Sequence, residues 1–202
     1  MKPILWRVWH VVRWPLAVLV ILYVAIVIYS FPHALEKEKT EETIARINAQ
    51  KLTIENVNGE HLPPPPDPAQ VDATIEGVDA NANGIRDDVE LAIFERYPDS
   101  LKIRAAELQY AMALQMYLTE VFNSETLVAV ILKDEHGDFC IAQTVSRAGL
   151  SGADKYVKEV ESIVIDSTDR KSKYDYIFQN YMTSYAGKPG PYCDIDPSML
   201  SN

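Results

Sequence analysis

The sequence predicts an all-α protein in three parts: an N-terminal transmembrane helix, a stalk with a proline-rich arm, and a bundle of about five helices. Three observations carry this. From Trp14 to Leu35 no residue is Lys, Arg, Asp or Glu. Prolines crowd residues 63–68. Beyond residue 86, apolar residues recur at three- and four-residue spacing, the period of a helix with one buried face.

The uncharged segment, WPLAVLVILYVAIVIYSFPHAL, would make about 33 Å of helix, enough to cross a bilayer core. A cleaved signal peptide would have a shorter apolar region and a small-x-small site, whereas Pro32 occupies the position two before Ala34. Without a cysteine the segment has no lipoprotein route. Lys2, Arg7 and Arg13 precede the span and the mixed EKEKTEE follows it, which sets the N-terminus in the cytoplasm and the rest outside, in the periplasm if the cell is bacterial. Arg7, His10 and Arg13, beside Trp6 and Trp9, suit a helix end at the headgroup boundary. Residues 1–35 are therefore leader and anchor, with residues 14–35 facing lipid.

Residues 36–71 read as stalk and linker. EKEKTEETIARINAQK is polar and favours helix, with only Ile44 and Ile47 as an apolar seam, so a solvated stalk is expected. LTIENVNGEHL alternates apolar and polar residues around Asn58-Gly59, which suggests a short strand or hairpin. Pro63 to Pro66 and Pro68 enforce a stiff extended arm.

Residues 72–202 form the outer domain. Its helices are expected over 87–97, over 99–122 with Asp99 as cap, over 124–148 with Gly149 as stop, over 152–166, and over 169–185. The tail, PYCDIDPSML, has no period. Cys140 and Cys193 both fall in this part, and in an oxidising space a disulfide is the default.

Formal charge is −10 over 202 residues, and the chain after the span carries 16 basic against 29 acidic residues. Such a surface repels phosphate backbones, so nucleic-acid binding is excluded, while divalent cations are attracted.

One stretch has spacing that implies chemistry. DANANGIRDDVE, residues 79–90, places Asp79, Asn81 and Asn83 at alternate positions, then Gly84, then Glu90 six residues further on. Calcium takes six to eight hard oxygens around one centre. Side chains of Asp79, Asn81 and Asn83, the carbonyl of Ile85, Asp87 directly or through water, and Glu90 with two oxygens would supply them. Gly84 serves the sharp turn. The match is to D-x-[DN]-x-[DN]-G-x5-E. It resembles the calcium loops of EF-hands, dockerins and thrombospondin type 3 repeats, over these 12 residues only. Two departures stand out: Arg86 replaces the apolar residue that joins paired EF-hand loops, and a proline-rich stretch replaces the entering helix. The resemblance implies a lone half-EF loop. With three acidic ligands, two amides and Arg86 opposing, the affinity expected is weak, about 10⁻⁴–10⁻³ M. Without metal, the same stretch would be an Asx turn leading into a helix capped by Asp87. The order of proline run, loop and alanine-rich helix also loosely resembles a group of bacterial exported proteins of unassigned function.

Other constellations are poorer. DEHGDFC holds His136 and Cys140 at a spacing that could share a zinc ion, but no second pair follows at ligand spacing. Gly149-Leu150-Ser151-Gly152-Ala153 lacks the last glycine of a nucleophile elbow, and neither a P-loop nor a dinucleotide fingerprint occurs. Tyr110, Tyr117, Tyr174 and Tyr181 sit at helical spacing and read as core. The function expected is therefore interaction or scaffolding with protein partners in an envelope complex, without catalysis and with structural calcium. The rivals are an extracytoplasmic enzyme with acidic catalytic residues and a calcium-responsive sensor.

Overall fold

The computed structural model describes residues 2–147 and 152–201, with the backbone alone for 2–12 and 147. The expected stop at Gly149 and the proposed interfacial roles of Trp6, Arg7, Trp9 and His10 lie outside the described residues and side chains. Every regular element among the described residues is helical. In chain order they are α1 (Lys2–Ala49), α2 (Ile54–Asn58), α3 (Pro68–Val71), α4 (Asp87–Arg96), α5 (Leu101–Thr119), α6 (Ser124–Arg147), α7 (Ala153–Val164), α8 (Thr168–Tyr181) and a 3₁₀ turn, Pro197–Met199. The chain divides into two compact units, one ending at Glu42 and the other starting at Thr43.

The first unit is the apolar part of α1. An 18-residue window of it reaches a mean hydropathy of 2.3 with no residue buried, and Trp14 to Leu35 are exposed. It is the one helix among the described residues long and apolar enough to cross a membrane. Pro15 and Pro32 lie inside it without interrupting the helix, Arg13 sits over the Trp14 ring at 5.6 Å, and Tyr29 meets His33 edge-on.

The second unit starts earlier than the proline arm. Ile47, Leu52 and Val57 are fully or nearly buried in its core, so residues 43–51, the end of the expected solvated stalk, belong to the packed second unit. The hairpin expected around Asn58-Gly59 is the short helix α2. Thr53 and Asn56 close a reciprocal capping box, and Gly59 ends the helix at φ +78°. Local capping at both ends outweighs an alternation only a few residues long. The prolines do run without regular structure from 63 to 67 before Asp67 caps α3.

The five predicted helices are α4 to α8, and α5 is their axis. It packs along α6 and also touches α7, α4, α2 and α8. Its residues from Arg104 to Leu118 are all buried, where the sequence suggested a single apolar stripe. Ser100, one residue after the predicted Asp99, is the cap, its hydroxyl accepting from the Ile103 N–H. α8 stops at Tyr181 under no visible breaker, four residues short of the expectation, and Met182 is extended. Tyr117, Tyr174 and Phe178 form an aromatic cluster with centroids 4.8–5.3 Å apart. The Sγ atoms of Cys140 and Cys193 lie 2.02 Å apart, at disulfide distance. Around them Gln109 donates to the Tyr192 carbonyl (2.7 Å) and accepts from the Asp194 N–H (2.8 Å), which straps the tail across α5 and α6.

Gly137 shows how closely these two helices approach. A Cβ there would lie 2.9 Å from the Tyr110 Cα, a backbone atom that cannot swing aside. Alanine at an exposed helix position would gain about 1 kcal/mol over glycine. Here Gly137→Ala is expected to lose about 1–3 kcal/mol through overpacking. Chemical denaturation followed by circular dichroism measures it, and a rise in stability would show that the crossing can relax.

Candidate metal centre

Residues 79–90 form a tight turn that runs straight into α4. The Asp79 carboxylate accepts from the N–H groups of Asn83 (3.1 Å) and Gly84 (2.8 Å). Asn81 Oδ1 accepts from the Asn83 N–H at 3.3 Å, and Asn83 Oδ1 accepts from the Ile85 N–H at 2.8 Å. Short polar side chains at alternate positions thus curl the backbone around themselves. Ala82 and Gly84 take left-handed backbone, at φ +56° and +86°. Gly84 is also crowded: a Cβ would lie 1.7 Å from Gln50 Nε2, which donates to the Asn83 carbonyl. Two earlier segments therefore touch the loop, Gln50 here and His61, whose carbonyl accepts from Asn81 Nδ2 at 2.9 Å.

The first turn of α4 brings the remaining acids. Arg86, not Asp87, is the helix cap residue. Asp87 instead reaches back, its carboxylate accepting from the Ala80 N–H at 2.9 Å. Glu90 Oε2 accepts from Asn81 Nδ2 at 3.0 Å. The first bond of the helical ladder runs from the Glu90 N–H to the Arg86 carbonyl, so the Ile85 carbonyl precedes the ladder. Asp87 and Glu90 are each 1% exposed. Burial pushes both carboxyls above the usual carboxylate range, and the negative charge of Asp79 adds to each. Among the described residues no Lys, Arg or His forms an ion pair with Asp79, Asp87 or Glu90.

Arg86 does not oppose the cage, contrary to the sequence expectation. Its side chain is fully buried and points elsewhere, to Asp88 and Asp166 and to the carbonyls of Ile163 and Val164. Placed between two expected ligands, Arg86 looked repulsive to a cation because sequence gives adjacency but not direction.

The donor set fits a hard cation in kind: three carboxylates, two amide oxygens and a free-standing carbonyl, all oxygen. Among the described residues no three acid, His or Cys side chains converge tightly enough to hold an ion alone. Amide and carbonyl oxygens must complete the shell. The residues weighed for zinc are engaged otherwise. Cys140 is at disulfide distance from Cys193, and the His136 ring meets the Lys188 carbonyl at 3.0 Å.

The chain matches no protein-family model, no curated protein and no solved structure.

Sequence reasoning missed two buried acids on the central helices. Glu107 of α5 is wholly buried, and among the described residues neither carboxyl oxygen finds a hydrogen-bond partner. Burial pushes it up to about 7, partly offset by the charge of Arg96. Asp134 of α6 is likewise pushed up to about 7 by burial, offset in part by Tyr117 and reinforced by Asp138, Glu161 and Glu135. Their only sequence signal is a carboxylate on the apolar stripe. Tyr110 beside them donates to Glu161 at 3.2 Å.

A carboxyl whose folded pKa exceeds its unfolded value binds its proton more tightly in the folded state. These two acids therefore favour folding most below their ordinary values of 4.5 and 3.8, and that contribution is lost as pH rises to about 7. Glu107→Gln and Asp134→Asn should each flatten this decline and leave the protein more stable than wild type at pH 8. Melting temperatures recorded from pH 4 to pH 8 in EDTA test it; a slope unchanged by both substitutions would show that the carboxyls ionise freely.

Proposed function

We propose that this is a membrane-anchored, extracytoplasmic calcium-binding protein with a scaffolding role in an envelope complex, in which calcium is structural. The observation that carries the metal is the uncompensated charge at residues 79–90. Two almost fully buried carboxylates, Asp87 and Glu90, lie beside Asp79 with no basic ion-pair partner among the described residues. Buried charge of one sign is costly, and a divalent ion offsets it directly. Asp79, Asn81, Asn83, Asp87 and Glu90, with the Ile85 carbonyl, would hold the ion. It would supply fixed positive charge and no redox or hydrolytic step.

A structural role follows from what the loop touches. Gln50 and His61 meet it from one side, and α4 continues from the other. A bound ion would hold together chain segments far apart in sequence, as a staple does. Millimolar affinity suits a compartment where calcium is plentiful. The apolar helix supports the anchor, and the basic leader before it supports an extracytoplasmic position for the second unit. The absence of nucleic-acid binding follows from the acidic surface.

Glu90→Ala should abolish most of the calcium-dependent rise in melting temperature of the detergent-solubilised protein. A calcium response identical to wild type would remove Glu90 from the ligand set, and saturation at micromolar calcium with a large shape change would favour a sensor. For the scaffold, affinity capture from detergent-solubilised membranes should recover a stoichiometric membrane partner; recovery of this chain alone would count against it.

A further inference from the structure

Among the described residues, Arg86 and Arg170 stand with the largest fully buried side chains. Arg86 lies between Ile85 and Asp87, two of the residues assigned to calcium. Its guanidinium donates to both Asp88 oxygens (2.5 and 2.9 Å), to Asp166 Oδ2 (2.8 Å), and to the carbonyls of Ile163 (2.8 Å) and Val164 (3.3 Å). Gly77 is moulded to its stem, since a Cβ there would lie 2.3 Å from Arg86 Cδ. The other oxygen of Asp166 accepts from Arg170 at 2.7 Å. Arg170 in turn donates to Asp72 (2.7 Å) and to the carbonyls of Val71 (2.6 Å), Thr74 (3.3 Å) and Ile75 (3.0 Å).

Asp166 is thus the joint between two buried cations, at the corner where α7 ends and α8 begins. On one side the joint reaches the loop through Arg86. On the other it reaches the chain before the loop through Arg170. The backbone between residues 71 and 87 is gripped at both ends by a single carboxylate.

We propose that Arg86 is the positioning residue of the calcium loop, and that through Asp166 it couples calcium binding to the docking of the α7–α8 corner. This rests on the calcium reading given above. Neutralised by Asp88 and Asp166, the Arg86 guanidinium adds no repulsion to the site, and its five hydrogen bonds fix the backbone on either side of it. The Ile85 carbonyl and the Asp87 carboxylate are then set before the ion arrives. Coupling of two sites is reciprocal: if the corner helps the loop bind calcium, calcium must tighten the corner by the same factor.

Calcium titration of the detergent-solubilised full chain, with hydrogen exchange read in the presence of calcium or of EGTA, tests this. Calcium should slow exchange at residues 163–170 as well as in the loop. Asp166→Asn should raise the calcium dissociation constant at least about fivefold, the lower end of ordinary coupling. Gly137→Ala, which strains the α5–α6 crossing away from the clamp, should lower stability and leave calcium affinity unchanged. Calcium binding with protection confined to residues 76–90 would overturn the coupling and leave the calcium site standing, and that result needs no variant that might misfold. An Asp166→Asn affinity equal to wild type would do the same. No calcium binding by the wild-type chain would overturn the calcium reading and the coupling with it.

Discussion

A helix buried on every side must satisfy its polar side chains from other parts of the chain, and α5 imposes that condition on the whole second unit. Fifteen consecutive residues of it, Arg104 to Leu118, are out of solvent. Three of the polar ones reach the backbone of other segments. Arg104 donates to the carbonyls of Val57, Tyr97 and Pro98 and stacks over Phe94. Gln109 holds Tyr192 and Asp194, and Gln115 holds the Glu76 carbonyl. Buried polar groups left unpaired are costly, so each such bond selects one path for a segment with no periodicity of its own. The long loops of the second unit are placed by the polar residues of its central, largely apolar helix.

Buried arginines repeat the arrangement at the edge of the bundle. Arg86 and Arg170 carry their charge inside only because Asp88, Asp166 and Asp72 accompany them. Burial works against ionisation of Asp166, but the Arg170 hydrogen bond and the charges of both arginines outweigh it and hold its carboxyl below the usual range. Clusters of this kind add little net stability compared with apolar packing, and removing one member strands the rest. Their effect here is specificity of path. The clamp fixes where residues 71–87 run, and so where the acids of the candidate metal loop stand.

Charge is therefore sorted into three populations. Around Arg86 and Arg170, acids and bases meet directly, with Asp166 shared between the two arginines. Asp79, Asp87 and Glu90 form no ion pair with a base among the described residues, although the chain places Arg86 in their midst. Glu107 and Asp134 form a third group, acids buried beside tyrosines and raised toward neutrality. Each environment follows from direction and depth, neither of which is written in the order of residues.

Local physics was legible without a structure. The span from Trp14 to Leu35 is readable because lipid tolerates no charge along 22 residues, and the five helices from α4 to α8 because a half-buried helix repeats its apolar residues every three or four positions. Residues 79–90 could be picked out because oxygens around an ion require alternate positions and a glycine turn; whether an ion sits there is proposed, not decided, by that pattern. Tertiary structure decided the rest. Ile47 and Leu52 entered the core, since two apolar residues give no period until the surface that receives them exists. Thr53 and Gly59 made a helix of an apparent strand, because capping atoms meet only in three dimensions. Arg86 turned away from the loop toward Asp166, 80 residues later in the chain. Sequence order fixes which charges are neighbours along the backbone, while burial and direction choose which of them meet.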